Sequence, residues 1–213
     1  MAGSTELELK YRVSERTAER YLADEELAGL RPLGGLRTRQ VEDRYVDTSS
    51  GALANAGYAA RLRESGGTTI VSLKAIANPE AGALHRRQEI EGPANRMLQP
   101  VEWPPSDARS LVLELSGDRP LVELVTIRQV RRARRFGATG TVVELTVDAV
   151  EVIARSAVVD RFLELEVELV DGDEPVLARV GEALSGDPAL TPVASSKLES
   201  ALAAIRERGG PSL

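Results

Sequence analysis

Polar and apolar residues alternate along several stretches of the chain, as a β-strand requires when its two faces meet different environments. In ELELKYRV (6–13), Glu6, Glu8 and Lys10 share one face while Leu7, Leu9 and Tyr11 share the other. Ser14 is placed to cap a helix running to about residue 28, with Ala18, Tyr21, Leu22 and Glu25 at amphipathic spacing. Pro32 and Gly34-Gly35 end that region. RTRQVEDRYVDT (37–48) follows, and then YAARLRES (58–65) and TTIVSLKAI (68–76), which the Gly66-Gly67 turn predicts as a hairpin. LHRRQEIE (84–91) is another strand, stopped by Gly92-Pro93, and SDARSLVLEL (106–115) reads as a short capped helix. The second half repeats the strand style in LVELVTIRQVRRARRF (121–136), TVVELTVDAVEVIA (141–154) and DRFLELEVELV (160–170). A helix is expected near 174–185, and SSKLESALAAIRER (195–208) predicts a last one with Leu198, Leu202 and Ile205 on one side. About eight antiparallel strands with helices at the edges and in the middle make an α+β chain. Neither a βαβ rhythm nor a Gly-rich nucleotide loop is present.

Composition narrows the chemistry. At 213 residues the chain suits one well-buried domain, 1–213 with 5–208 as its structured core. It has no Cys and a single His, His85, so thiolate or His-rich zinc sites and Ser-His-Asp catalysis are unsupported. A metal would therefore sit on oxygen ligands, which favours Mg²⁺, Mn²⁺ or Ca²⁺. A net charge of −6 and 3% aromatic residues argue against nucleic acid as the primary ligand. No apolar run approaches the roughly 20 residues of a membrane span, and MAGSTELELK lacks the regions of a signal peptide. A cytoplasmic location is the default expectation.

The charged strand faces carry the functional signal. Glu6, Glu8 and Lys10 share a face, as do Arg61 and Arg63; Arg87, Glu89 and Glu91; and Glu164, Glu166 and Glu168. On any one strand such a face is ordinarily solvated. Repetition on four or five strands changes the picture, because surface pairs contribute only about 0–1 kcal/mol each and adjacent like charges repel. A closed barrel gives every strand an inside and an outside, so its interior could use these faces. Arg and Lys suit phosphoryl oxygens, and a divalent cation reconciles the carboxylates with the same anion. The mixture fits a metal–triphosphate complex.

The segments that carry these faces also resemble the CYTH domain, the triphosphate tunnel metalloenzyme superfamily. ELELK (6–10) matches its signature, followed in family order by RYVDT (44–48), ARLR (60–63), VSLK (71–74), RRQEIE (86–91), the basic strand from Arg128, Asp148 and FLELEVEL (162–169). The resemblance implies a closed eight-stranded antiparallel β-barrel with surrounding helices. It implies phosphate ligands at Lys10, Arg61, Arg63, Lys74, Arg87, Arg128, Arg131 and Lys197. It implies metal carboxylates at Glu6, Glu8, Glu164 and Glu166, with Asp148 near the metal or the attacking water and Glu89 and Glu91 on the same acidic side. Glu8, Lys10, Asp148 and Glu166 are the expected catalytic set, with Mg²⁺ or Mn²⁺ as cofactor. Glu168 continues the acidic face or is solvated at the strand end. Strict alternation groups Arg128 with Arg132 and Arg134, so the placement of Arg131 against these stays open. Lys197 reaches the tunnel mouth or is exposed in its helix. His85 is expected at the rim or surface, Tyr45 and Asp47 orient an interior cation or pack, and Trp103 serves as an anchor, an interface residue or a base-stacking platform.

The activity implied is metal-dependent hydrolysis of a triphosphate, with inorganic tripolyphosphate as the leading substrate. A non-catalytic polyphosphate or triphosphate binding module is the alternative, as are a thiamine triphosphatase and an adenylate cyclase. SSKLESAL resembles CYTH domains that precede CHAD partners, which implies a CHAD-domain or polyphosphate association, and no membrane is expected as a partner.

Overall fold

The computed structural model describes residues 4–76, 83–97, 99–138 and 140–208. Residues 1–3 and the last five of the tail, 209–213, lie outside the described residues, so both expected domain ends do too. In chain order the elements are β1 (Ser4–Arg12), α1 (Glu15–Ala23), β2 (Arg31–Pro32), β3 (Arg37–Thr48), α2 (Ala52–Asn55), β4 (Tyr58–Ser65), β5 (Thr68–Ala75) and β6 (Leu84–Pro93). They continue with α3 (Asp107–Ser116), β7 (Leu121–Ala138), β8 (Thr141–Ala154), β9 (Ala157–Asp171), α4 (Glu174–Ser185), β10 (Thr191–Pro192) and α5 (Lys197–Glu207).

The eight long strands form one antiparallel ring in the order β1-β6-β5-β4-β3-β7-β8-β9, closed by pairing β9 back onto β1. Closure removes both sheet edges and gives every strand an inner and an outer face. Tight turns set the register. Gly66 and Gly67 both have positive φ, which a two-residue hairpin with right-handed strand twist requires, and they hold Ser65 opposite Thr68. The β8–β9 hairpin turns through Arg155 and Ser156 at φ 50° and 64°, a turn without glycine and without a clear sequence signal.

Alternation decides which faces are buried against what. Outside β1, β8 and β9, the side chains of Leu9, Tyr11, Leu145, Val147, Leu165 and Val167 pack under α1 and α4. Outside β4, β5 and β6, Leu62, Val71, Leu73 and Ile90 pack against Leu53, Trp103, Leu111 and Val112 around α2 and α3. Trp103 is a core anchor whose indole N–H donates to the Asn95 carbonyl at 2.9 Å, and so provides no base-stacking platform. Gly92 lets α3 approach, since a Cβ there would lie 2.3 Å from the Ser106 hydroxyl that caps the helix.

A third apolar cluster lies inside the ring. Tyr45, Val125, Ile127, Val150 and Val152 share strand faces with the charged interior residues and meet Ala201, Leu198 and Ile205 of α5. α5 therefore lies across the end of the barrel where β7 and β9 begin. Helix α1 stops at Ala23 rather than near residue 28. Ala28 and Gly29 take positive φ and turn the chain, so that Leu27 and Leu30 pair with each other and both reach the core. Burying two leucines outweighs another helical turn, since each buried leucine contributes about 1.5–3 kcal/mol.

Candidate functional site

The inward faces enclose a cavity of about 430 Å³ that runs along the barrel. Its lining includes Glu6, Glu8, Lys10, Arg39, Arg61, Arg63, Lys74, Arg87, Glu89, Glu91, Arg131, Glu166, Glu168 and Lys197. Strands β1, β4, β5, β6, β7 and β9 and the first residue of α5 thus bring most of the expected site residues together.

One network is deep and nearly neutral. The Lys197 ammonium lies 2.7 Å from Glu166, 3.0 Å from Asp148 and 3.0 Å from Glu164. Arg131 grips Asp148 through two nitrogens at 2.7 and 2.5 Å and reaches Glu166 at 2.8 Å. Lys10 adds pairs to Glu166 at 3.3 Å and Glu8 at 3.0 Å, and Arg12 pairs with Glu164 at 2.7 Å while stacking over Phe162. Burial alone would lower Lys10 and Lys197, yet the surrounding carboxylates hold both above the ordinary lysine value. Burial alone would likewise raise Glu166 and Asp148. Lys197, Lys10 and Arg131 hold Glu166 well below its ordinary value, and Arg131 and Lys197 hold Asp148 below its own.

A second network holds the arginines of β4. Asp43, fully buried on β3, takes Arg63 in a bidentate grip at 2.7 and 2.8 Å, accepts from Gln129 at 2.7 Å and lies 3.6 Å from Arg61. Despite burial, Arg61 and Arg63 hold its carboxyl far below the ordinary range. Arg61 is further fixed by Ser72 at 3.1 Å and Glu89 at 3.4 Å. Lys74 contacts both Glu6 oxygens at 2.8 and 2.6 Å. His85 donates from Nε2 to the Val193 carbonyl at 2.7 Å, and its Nδ1 accepts from Arg87 at 2.7 Å. The ring is therefore a neutral bridge, consistent with burial pushing its pKa down.

The seam between β1 and β9 is different. Register places Glu8 opposite Glu168, a like-charge pair that is unfavourable without a cation. Burial, then Glu6, Glu8 and Glu166, push the Glu168 carboxyl up to about 7. Glu8 Oε1 is buried without a hydrogen bond and lies 3.0 Å from the Lys10 ammonium, as Glu164 Oε1 does from Lys197; Glu164 has Arg12 as a second cation, whereas Glu8 has no second ion pair among the described residues. Among the described residues no group of three or more carboxylates is already gathered as a metal site. The seam is nonetheless an all-oxygen donor set in which Glu6 and Glu8 each pair with one lysine and Glu168 has no ion pair among the described residues, a set that suits a hard divalent cation. The residues present fit Mg²⁺ or Mn²⁺.

Several expectations need correction. Arg128 does not face the cavity: it is exposed on the outer surface and bonds Glu42 at 3.0 Å. β7 keeps strict alternation, so Arg132 and Arg134 also point outward, to Glu19 and to the Leu22 and Asp24 carbonyls, and Arg131 alone of these points in. Asp148 and Glu164 are fully buried beneath Lys197 and Arg131 and do not line the cavity. Glu89 is committed to Arg61 and Lys74, and Glu91, at the exposed end of its face, is raised by partial desolvation and by Glu89. Lys197 is exposed neither at the mouth nor in its helix, because α5 drives it into the carboxylates. His85 is interior rather than at the rim. Tyr45 packs in the α5 seal, and Asp47 instead accepts the Thr48, Leu53 and Ala54 backbone N–H groups that begin α2. Sequence reasoning passed over Asp43 and Arg39. Their shared parity on 37–48 was the available signal, since both are odd-numbered like Tyr45.

These features define a closed barrel whose polar interior concentrates cations and carboxylates around one cavity. The CYTH domain model matches residues 4–187, and the chain belongs to that family. Among solved structures, an adenylyl cyclase candidate from Hippeastrum, HpAC1, which reveals a dominant triphosphatase activity, is 21% identical. The match covers 97% of this chain and 97% of that one, with a TM-score of 0.65. An adenylate cyclase candidate from Bacillus halodurans is 17% identical over 94% of this chain and 98% of that chain, at TM-score 0.59. The PH1819 protein of Pyrococcus horikoshii OT3 is 17% identical over 93% of this chain and 98% of its own, at TM-score 0.53. These likenesses concern the fold. No curated protein matches the chain. Among the described residues no helix is long and apolar enough to cross a membrane.

Proposed function

We propose that the protein hydrolyses a triphosphate with the help of a divalent metal, and that inorganic tripolyphosphate is its substrate. The observation that carries this reading is the single cavity in which Lys10, Arg61, Arg63, Lys74, Arg87 and Arg131 face the Glu6, Glu8, Glu166 and Glu168 carboxylates. Cations on several strands can hold successive phosphates, and the acidic seam supplies the place for a metal. Tyr45 is the one aromatic ring besides His85 in the described lining, and it is nearly buried, which favours a substrate without a base or thiamine ring.

Mg²⁺ or Mn²⁺ would be held by Glu6, Glu8 and Glu168 with Glu166 beside them, and when bound would polarise the phosphate chain. The chain's own residues do the rest. Lys10, Arg61 and Lys74 bind and orient the phosphates, each already fixed by a carboxylate. Water attacks a terminal phosphorus in line. Its oxygen forms the new P–O bond and its proton passes to a phosphate oxygen of the products, while the bond to the bridging oxygen breaks and the leaving pyrophosphate takes the charge, which Arg and Lys offset. Glu166, held ionised, positions Lys10, Arg131 and Lys197 at the cavity wall.

The test is phosphate release from tripolyphosphate, ATP and thiamine triphosphate with Mg²⁺ or Mn²⁺, with Glu166→Gln as control. Release from tripolyphosphate that falls by about 10²-fold or more in the variant is expected. Tight binding without release above the variant would instead indicate a phosphate-chain binding module.

A further inference from the structure

Almost every cation that lines the cavity is matched to a carboxylate. Lys10, Arg61, Arg63, Lys74, Arg86, Arg131 and Lys197 each have one. Among the described residues, Arg39 and Arg87 line the cavity without such a partner, and Arg87 is still held by His85. Arg39 is exposed, shares the inward face of β3 with Asp43 and Tyr45, and has no hydrogen bond or ion pair to another described residue. Register sets it directly opposite Arg131 on β7. Two guanidinium groups facing each other across strands repel, and although Asp148 and Glu166 pair with Arg131, no carboxylate forms an ion pair with Arg39 among the described residues. Burial and then the charge of Arg131 hold Arg39 below the ordinary arginine value, with Glu144 the nearest compensation and Arg63 and Arg37 adding to the repulsion. Six residues separate Arg39 from Tyr45 at the α5 seal, about 20 Å along an extended strand. Arg39 therefore marks the end of the cavity away from α5.

We infer that Arg39 forms, with the Arg131 and Arg63 side of the cavity, a subsite for the phosphate of a chain that lies farthest from α5, and so sets the preferred chain length. The inference rests on the triphosphate reading. An anionic phosphoryl group there relieves the repulsion between Arg39 and Arg131 and gives the free guanidinium two acceptor oxygens to grip. A pyrophosphate held deeper among Lys10, Arg61 and Lys74 does not need it.

The experiment is calorimetric titration of the metal-free protein, under chelator, with pyrophosphate, tripolyphosphate and tetrapolyphosphate, comparing wild type with Arg39→Ala and Arg39→Lys. Arg39 is exposed and unpaired, so both variants fold. Arg39→Ala is expected to weaken the tri- and tetraphosphate by about tenfold, the scale of one charged contact, while pyrophosphate is nearly unchanged. Arg39→Lys should fall between, because it keeps the charge and loses the fork. Equal weakening for all three lengths would mean a diffuse field and overturn the subsite, as would no change for any of them. Failure of wild type to bind any of the three, both under chelator and with Ca²⁺ restored, would overturn the triphosphate reading along with it, an outcome the variants alone cannot produce; binding that returns only with Ca²⁺ keeps that reading, and the variants are then compared in Ca²⁺.

Discussion

Two groups of carboxylates line the same barrel and behave in opposite ways. Asp148, Glu164 and Glu166 are closed over by Lys197, Arg131 and Lys10, and their charges are satisfied within the protein. Glu6, Glu8 and Glu168, on the same or the neighbouring strand, have less compensation, and Glu168 retains its proton up to about neutral pH. The first group has the character of structure, fixing α5 and the β7–β9 wall. The second is the oxygen-rich seam that fits a divalent cation. Residue type and parity are shared, so the difference comes from where α5 places one lysine. A buried charge is costly unless paired, and Lys197 can reach only one group.

The contrast can be broken most directly at Lys197. Lys197→Met removes the one cation shared by three buried carboxylates, leaving Arg131, Lys10 and Arg12 to balance them, and is expected to destabilise by about 3–5 kcal/mol in urea unfolding. Lys74→Met, at a more accessible pair, should cost about 0–1 kcal/mol. Equal losses would remove the distinction between the groups. A smaller effect belongs to Asp43→Asn, which removes the charge that orders Arg63 and Gln129; a loss of about 1.5–3 kcal/mol is expected by the same measurement. Next comes metal affinity. Glu168→Gln should weaken Mn²⁺ binding by about tenfold or more, read by titration calorimetry, whereas Glu164→Gln should leave it nearly unchanged. The reverse ranking would move the metal to the Lys197 group.

The smallest effect is in pH. The Glu168 pKa is raised in the folded protein, so the folded state keeps a proton that the unfolded chain has already released. Its stabilisation is therefore lost as pH rises from the ordinary glutamate range through about 7. Metal-free protein should lose about 1 kcal/mol of stability across that window after solvent screening. The loss should shrink in Glu168→Gln, leaving the contributions of Glu91, whose pKa is also raised, and of His85, whose lowered pKa acts in the opposite direction. Asp43, Asp148 and Glu166 are held low and stay ionised throughout, so they do not mask it.

Much of this site was legible in the chain. ELELK, ARLR, VSLK and RRQEIE placed Glu6, Glu8, Lys10, Arg61, Arg63, Lys74 and Arg87 on inward faces because a strand's two-residue period fixes which side chains travel together. Arg128 was misplaced by family pattern where plain alternation was correct. Glu164 and Glu168 could not be ranked, since both share the inward parity and only their depth along β9 separates them. Asp43 and Arg39 were passed over because a single inward residue on a mixed strand has no repeated neighbour to announce it.

Alternation thus determined the strands and their two faces, and the lack of Cys with a single His determined the all-oxygen character of any metal site. Both could do so because period and residue chemistry are local. Tertiary structure decided which charges cancel. Closure of β9 onto β1 set Glu8 against Glu168, β3 pairing with β7 set Arg39 against Arg131, and the docking of α5 buried Lys197 among three carboxylates. Those are distances between residues far apart in the chain, and electrostatic energy depends on distance and burial rather than on sequence order.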